Sequence, residues 1–244
     1  MRKFIYLPVI LFLPVVFFLM AYENKGVAMA EEKRMQAQRI ELPQPRYKSE
    51  TSVEEALRGR RSVRTYQNKP LTLAEISQLL WAAYGITQKM GAPDFLRGGL
   101  RTAPSAGALY PLEIYVLAGN VNGLKDGIYK YQSNGHYLMT ITDGDKRAEL
   151  CAAALGQEMI KEAAAVIVYS AVYHRTTKKY GTRGKERYVC MDAGHSAQNI
   201  YLQAYALQLG CCVSGAFSDE RVRKVLSLGK DETPLYLIPV GKIL

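Results

Sequence analysis

The sequence predicts an α+β domain, on three observations. Strand-type and helix-type segments mix without the regular βαβ alternation that builds a doubly wound sheet. Gly127–Gln132 and His136–Thr142 flank Ser133-Asn134-Gly135, a hairpin signal between two runs rich in Tyr, Ile and Thr. From about Tyr188 to Leu209 the chain reads as one long helix with small or apolar residues all round, among them Ala193, Gly194, Ala197, Ile200, Leu202, Ala204 and Ala206. Such a helix has to be buried on several sides. In a domain this small, that burial points to a second copy covering it, hence a homodimer; an ordinary central core helix is the competing explanation.

Taken in order, residues 1–30 read as export machinery. Arg2 and Lys3 precede an apolar run from Phe4 to Tyr22, and Ala28-Met29-Ala30 offers a small-x-small cleavage pattern. The run is also long enough to span a bilayer, so a cleaved signal and a retained N-terminal anchor both stand. Either places the body outside the cytoplasm, exported to the periplasm or the extracellular space, with membrane contact confined to residues 4–22. Residues 31–51 are charged, Gln-rich and carry Pro43 and Pro45, which reads as an extended arm with little structure of its own. One domain follows over 52–244. Ser52-Val53-Glu54-Glu55 is a capping-box pattern for a short helix ending near Gly59. Thr72-Leu73-Ala74-Glu75 starts another, with Ile76, Leu79, Leu80 and Ala83 on one stripe and Gly85 as its stop.

Residues 85–107 hold five glycines and two prolines and predict a long functional loop. Leu112–Ala118 is an apolar strand, and the hairpin follows it. Asp143 is expected to cap a helix through about Leu155. Ala164–Tyr173 is a β-branched, buried strand, and 174–186 is a basic loop. The long helix then runs to a stop at Gly210. Cys211–Phe217 is extended, Ser218-Asp219-Glu220 opens a helix stopping at Gly229, and Pro234–Val240 is a last strand.

The formal charge is +10, and removing residues 1–30 (Arg2, Lys3 and Lys25 lost, Glu23 returned) lowers it to +8. That suggests anionic ligands, although the charge is scattered and no long basic block occurs. Cys151, Cys190, Cys211 and Cys212 lack metal-type spacing, and His136, His174 and His195 are isolated, so no metal site is expected. Cys211 and Cys212 sit among apolar residues and read as buried thiols.

The densest charge is Arg60-Arg61-Ser62-Val63-Arg64. A solvated face is the ordinary explanation of such a run. Nucleic-acid binding calls for a broader basic surface, and a membrane-binding helix is not provided by Thr65-Tyr66-Gln67-Asn68. A phosphate clamp suits guanidinium forks and a hydroxyl on one short segment. Alone, the cluster leaves the clamp slightly behind the solvated face. Two further stretches bear on it. Pro104-Ser105-Ala106-Gly107 ends a Gly-rich loop just before a strand, and Ser214-Gly215-Ala216 is another run of small residues. Both let backbone approach a flat ligand closely, and both are ordinary turns if taken singly.

In this order the three segments resemble the nitroreductase superfamily of FMN-dependent oxidoreductases, over residues 52–242. That resemblance implies a mixed, mainly antiparallel sheet flanked by helices, with the long helix (Asp192-Ala193-Gly194-His195 through Gln198-Asn199) at a homodimer interface. It implies that Arg60, Arg61, Ser62 and Arg64 hold the FMN phosphate and ribityl chain. It also implies that Pro104, Ser105, Ala106 and Gly107 lie against the flavin and that Ser214, Gly215 and Ala216 line its edge. Lys242 is the one late cation placed to reach the phosphate. Ser105–Glu113 and Lys179-Tyr180-Gly181…Arg187-Tyr188 resemble the azoline-dehydrogenase (SagB-type) branch, in which a Lys–Tyr pair is implicated in catalysis. An ammonium beside a phenol is a sound proton-handling pair, and a solvated basic loop is its bland alternative.

The implied chemistry is ping-pong hydride transfer through flavin N5. No G-x-G-x-x-G follows a strand, so a nicotinamide donor, NADH or NADPH, has to bind transiently over the flavin. The implied substrates are small redox molecules of nitroaromatic, quinone or azoline type. A flavin-binding protein without turnover and an anion- or nucleic-acid-binding module remain the alternatives from other functional classes.

Overall fold

The computed structural model describes residues 39–244. The expected leader, and the arm as far as residue 38, lie outside the described residues. No helix among the described residues is long and apolar enough to cross a membrane.

In chain order the elements are β1 (Arg39–Glu41), α1 (Val53–Gly59), β2 (Leu71–Thr72), α2 (Leu73–Tyr84), β3 (Ile86–Lys89), β4 (Gly99–Arg101), β5 (Leu112–Ala118), β6 (Val121–Asn122) and β7 (Gly127–Gln132). They continue with β8 (Tyr137–Asp143), α3 (Arg147–Ala153), α4 (Glu158–Glu162), β9 (Ala165–Val172), α5 (His174–Tyr180), α6 (Val189–Ala206), β10 (Leu209–Cys211), α7 (Asp219–Leu226) and β11 (Glu232–Lys242). One sheet carries seven strands in the order β1-β8-β7-β5-β9-β11-β10. Every pairing from β8 to β10 is antiparallel. A two-residue parallel pair, β2 with β6, makes the whole mixed.

The strand period of two sorts the core into two layers. Ile114, Val116, Ile167, Tyr169 and Ile238 point to one face and pack with Leu79, Leu80, Ala193, Ala197 and Ile200 of α2 and α6. Tyr115, Leu117, Val166, Val168 and Leu237 point to the other, onto Leu150, Ile160, Val222 and Leu226 of α3, α4 and α7. Helices therefore cover both faces, and every residue of β5 and β9 is buried. Tyr169 fixes the first layer: its hydroxyl meets Ser196 Oγ at 2.7 Å, and Ser196 donates to the Ala83 carbonyl at 2.7 Å.

The two N-terminal signals behave as expected. Ser52 Oγ accepts from the Glu55 amide, and Thr72 with Glu75 forms a complete capping box. Four elements depart from expectation, the first being the long loop of 85–107, which holds the antiparallel pair β3 and β4. Asp143 is the last residue of β8 and caps nothing; Asp145 accepts from the Arg147 amide at 3.0 Å and starts α3 in its place. The basic loop of 174–186 is instead α5 followed by a π-helical turn, Gly184–Tyr188. Its helicity has no apolar stripe to announce it: the inward residues are Thr176, with Gly184 close against its backbone, and Arg175, which pairs with the buried Glu113. The long helix ends at Ala206, since Gln208 turns left-handed (φ 56°) and residues 209–211 join the sheet beside β11. Gly210 is a strand residue, glycine because a Cβ there would stand 2.6 Å from the Val63 side chain.

The described part of the arm is extended but anchored. The Arg46 amide donates to Gln78 Oε1 at 2.7 Å, and Tyr47 packs edge-on against Trp81 at 5.4 Å between ring centres.

Candidate active site

The arginine segment leaves α1 and is clamped to β10. The Val63 amide donates to the Cys211 carbonyl at 2.9 Å, and Tyr66 donates to the carbonyls of Val63 and Pro239. With the backbone held, the side chains are presented outward. Arg61 and Arg64 are exposed and Arg60 half-buried, its guanidinium 5.4 Å from the centre of the Tyr201 ring. Arg61 donates to the carbonyls of Arg58 and Arg60. Among the described residues none of the three has a carboxylate partner. Ser62 Oγ lies 3.0 Å from Tyr201 Oη, which also accepts from the Val213 amide at 2.9 Å.

Lys242 differs. Its ammonium is 2.5 Å from Glu75 Oε1 in a half-buried ion pair. Burial alone raises the Glu75 carboxyl, but the bonds from Lys242 and Thr72 outweigh it and hold the group below the ordinary glutamate range. The late cation is thus answered by an acid of its own.

In the loop, Ser105 Oγ donates to Asp192 Oδ2 at 2.5 Å and accepts from the Tyr110 amide at 3.0 Å. The Ala106 amide donates to Asp192 Oδ1 at 3.2 Å. The serine hydroxyl is therefore engaged within the protein and shapes the loop. Asp192 is buried, and burial pushes its carboxyl up despite these two bonds. Gly107 (φ 64°) sits at the tip in a conformation that suits glycine. A Cβ at Gly107 would stand 2.7 Å from the Tyr180 hydroxyl and 3.1 Å from Lys179 Nζ. The Lys–Tyr pair, over seventy residues away in sequence, thus closes over that tip. Tyr188 packs edge-on against Tyr180 at 4.9 Å between centroids.

Ser214 is buried, exchanges both backbone bonds with Leu237 (2.8 and 2.9 Å) and donates from Oγ to Gln157 Oε1 at 2.8 Å. Gln157 Nε2 in turn donates to the Ala216 carbonyl at 2.7 Å. Gly215 and Ala216 are left exposed on a fixed backbone. Cys211 beside this stretch is a buried thiol, pushed up to about 12 by burial, and no described cysteine is disulfide-bonded.

Helix α6 ties the segments together. Asp192 holds the loop, Asn199 donates to the carbonyls of Ala82 and Thr102, and Tyr201 reaches both Ser62 and Val213. Asp192 and Tyr201 are nine residues apart, roughly 14 Å along the axis at 1.5 Å per residue. Sequence reasoning missed the loop-holding role of Asp192 and the parts played by Tyr201 and Gln157. An acid in an otherwise small, apolar helix was the available signal for the first; a lone Tyr or Gln offers none.

Comparison with known proteins gives the chain a family and a set of relatives. The model described as the Nitroreductase family matches residues 57–242. A Methanocaldococcus jannaschii protein whose name assigns it to the nitroreductases is 47% identical over 193 residues, 79% of this chain and 92% of that protein. A trifolitoxin operon protein of Rhizobium leguminosarum bv. trifolii is 24% identical over 77% of this chain, which covers 54% of that protein. A crystal structure of a nitroreductase from Anabaena variabilis superposes with a TM-score of 0.72 at 32% identity, over 84% of this chain and 42% of that one. The chain thus spans about half the length of these last two.

The family match and the shared fold define the class, an oxidoreductase. The match over residues 57–242 makes the assignment plain: the chain belongs to the nitroreductase family.

Proposed function

We propose that the chain is an FMN-dependent oxidoreductase acting on small nitroaromatic, quinone or azoline-type molecules. The observation that carries this reading is the closure of Lys179 and Tyr180 over the side-chain-free tip at Gly107. Family membership and the free guanidiniums of the arginine segment support it. These residues fit an elongated cofactor with an anionic end and a flat ring. Arg60, Arg61 and Arg64 offer donors that no described acid occupies, and Gly107 leaves room where any other residue would meet the Tyr180 hydroxyl.

When bound, FMN would supply two-electron hydride chemistry to a donor and an acceptor taking turns at one site, which is the proposed ping-pong scheme. NADH or NADPH is the proposed donor, binding transiently. The protein does the rest. Arg60, Arg61, Ser62 and Arg64 bind the phosphate end, and Pro104–Gly107 with Ser214–Ala216 present backbone along the ring. Lys242 adds to the phosphate site only by giving up Glu75. Tyr180 holds or releases a proton at Oη, with the Lys179 ammonium alongside to stabilise charge there. The working unit proposed is a homodimer through α6, whose uncovered side presents Met191 (52% exposed), Gly194, His195 and Gln198.

The test is direct. Full-length protein offered FMN should retain it through desalting and show flavin absorbance, and Lys179→Met with Tyr180→Phe should keep the colour while losing turnover. A colourless protein with no FMN uptake overturns the proposal.

A further inference from the structure

A cavity of about 630 Å3 opens beside Lys179 of the Lys–Tyr pair. Its wall is formed by Asp94, Phe95, Arg97, Leu109, Arg175 and Lys178, together with Lys179 and His174. Four permanent cations therefore face a single lining acid. Behind the wall lies Glu113, buried, with Oε1 3.1 Å from Arg97 Nη2 and 2.5 Å from Arg175 Nη2. One carboxylate oxygen thus fixes two guanidiniums at the cavity, and each fork keeps donors to spare. Arg175 has one further described bond, to the Tyr110 carbonyl at 3.3 Å. Lys130, also on Glu113, is balanced by Glu232 at 2.9 Å. Counting Asp94 and Glu113 against the four cations leaves two positive charges in excess at the cavity. Lys178 and Lys179 are exposed and have no carboxylate partner among the described residues.

Besides Asp94 and His174, the rest of the wall is apolar. Phe95 is 50% exposed and stands with Leu109, so the cavity offers one greasy side and one cationic side. Lys179 belongs to both this cavity and the Gly107 closure, so a molecule seated here borders the proposed redox centre. The arginine segment is held at Tyr201 through Ser62, about 14 Å along α6 from the Asp192 that holds the Gly107 loop. The cationic cavity is thus a different anion site from that segment's.

We infer that the substrate is an anionic aromatic small molecule, bearing a carboxylate or sulfonate, seated with its charge on Arg97, Arg175 and Lys178 and its ring on Phe95 and Leu109. The inference deepens the flavin reading and rests on it for calling this cavity a substrate site. A point charge at contact distance in a partly solvated cavity shifts binding by about threefold to tenfold.

The experiment uses full-length protein and two probes matched in ring and size, 4-nitrobenzoate and 4-nitrobenzamide, with binding measured by equilibrium dialysis and FMN uptake measured in parallel. The expected result is at least tenfold tighter binding of the benzoate, a gap cut about threefold by Lys178→Gln, closed by Lys178→Glu, and narrowed by 0.5 M salt in the unaltered protein. Equal binding of the two probes, or a gap indifferent to both Lys178 and salt, overturns the inference. If FMN is retained and the amide binds as tightly as the benzoate, the cavity inference fails and the flavin reading stands. If no FMN is retained but the Lys178-dependent preference persists, the flavin reading fails and the anion site stands.

Discussion

Arg60, Arg61 and Arg64 lie on an outward-facing segment and pair with no described acid, whereas Arg97, Lys130 and Arg175 converge on the buried Glu113 at 3.1, 3.1 and 2.5 Å. Burial alone would raise the Glu113 carboxyl, but Lys130, Arg175 and Arg97 outweigh it and hold the group below the ordinary range. The two regions contain the same chemistry in different states of pairing. In the second, a buried acid ties its cations to the fold, because removing it strands charge inside the protein, and Arg97 and Arg175 turn only their remaining donors to the cavity. In the first, the cations are available to a ligand. Counting arginines does not separate these cases; locating their acids does.

The largest expected effect breaks the paired region. Glu113→Gln leaves three cations with one fewer anion, and unfolding by denaturant should show a loss of about 3 kcal/mol. Because Glu113 is depressed in the fold, its contribution is present above the unfolded carboxylate value of about 4.3 and fades as pH falls through the lower folded value. The gap between Glu113→Gln and the unaltered protein should therefore shrink below about pH 4. A gap constant down to pH 2 would contradict the pairing. The complementary change, Arg60→Ala with Arg64→Ala, should leave stability within about 0.5 kcal/mol while weakening FMN binding about a hundredfold. Fluorescence titration of FMN checks it; unchanged affinity removes these residues from the phosphate site.

Most of the scaffold was legible because it is locally encoded. Thr72 and Glu75 mark a helix start by reciprocal capping, and β5 and β9 show as apolar runs because both strands are buried on both faces. The long helix was legible in kind but not at its end, since β11 claims Leu209–Cys211 through pairings far away in sequence. Helix α5 was hidden because its inward side is made by Thr176 and the ion-paired Arg175, not by an apolar stripe. The three ligand segments could be named from their order, yet what each side chain does depended on partners elsewhere: Asp192 for Ser105, Tyr201 for Ser62, Gln157 for Ser214. No local pattern encodes such long-range hydrogen bonds.

A third change tests the junction where the loop meets the Lys–Tyr pair. Gly107→Ala puts a Cβ 2.7 Å from the Tyr180 hydroxyl at a backbone φ of 64°. The left-handed backbone should cost about 1–2 kcal/mol of stability. Displacement of Tyr180 and Lys179 should lower turnover by about tenfold or more while FMN stays bound, because the arginine segment is untouched. Turnover equal to that of the unaltered protein would separate the pair from the chemistry.

The smallest effect sharpens the comparison at a single residue. Lys242 was expected beside the arginines, but its ammonium sits on Glu75, so it falls on the paired side of the contrast. Its side chain is 30% exposed and that of Glu75 16%, which limits the pair to about 0.5–1 kcal/mol after solvent screening. Lys242→Ala should lose that much stability near neutral pH. Glu75 is depressed in the fold, so the loss should vanish as its carboxyl protonates below about pH 4. FMN affinity should move by less than about threefold, since releasing Glu75 costs nearly what a phosphate contact would return. A tenfold or greater loss of FMN affinity would instead mean that Lys242 leaves Glu75 when the phosphate arrives. It would then move to the available set, with Glu75 as the acid that holds it until the cofactor binds.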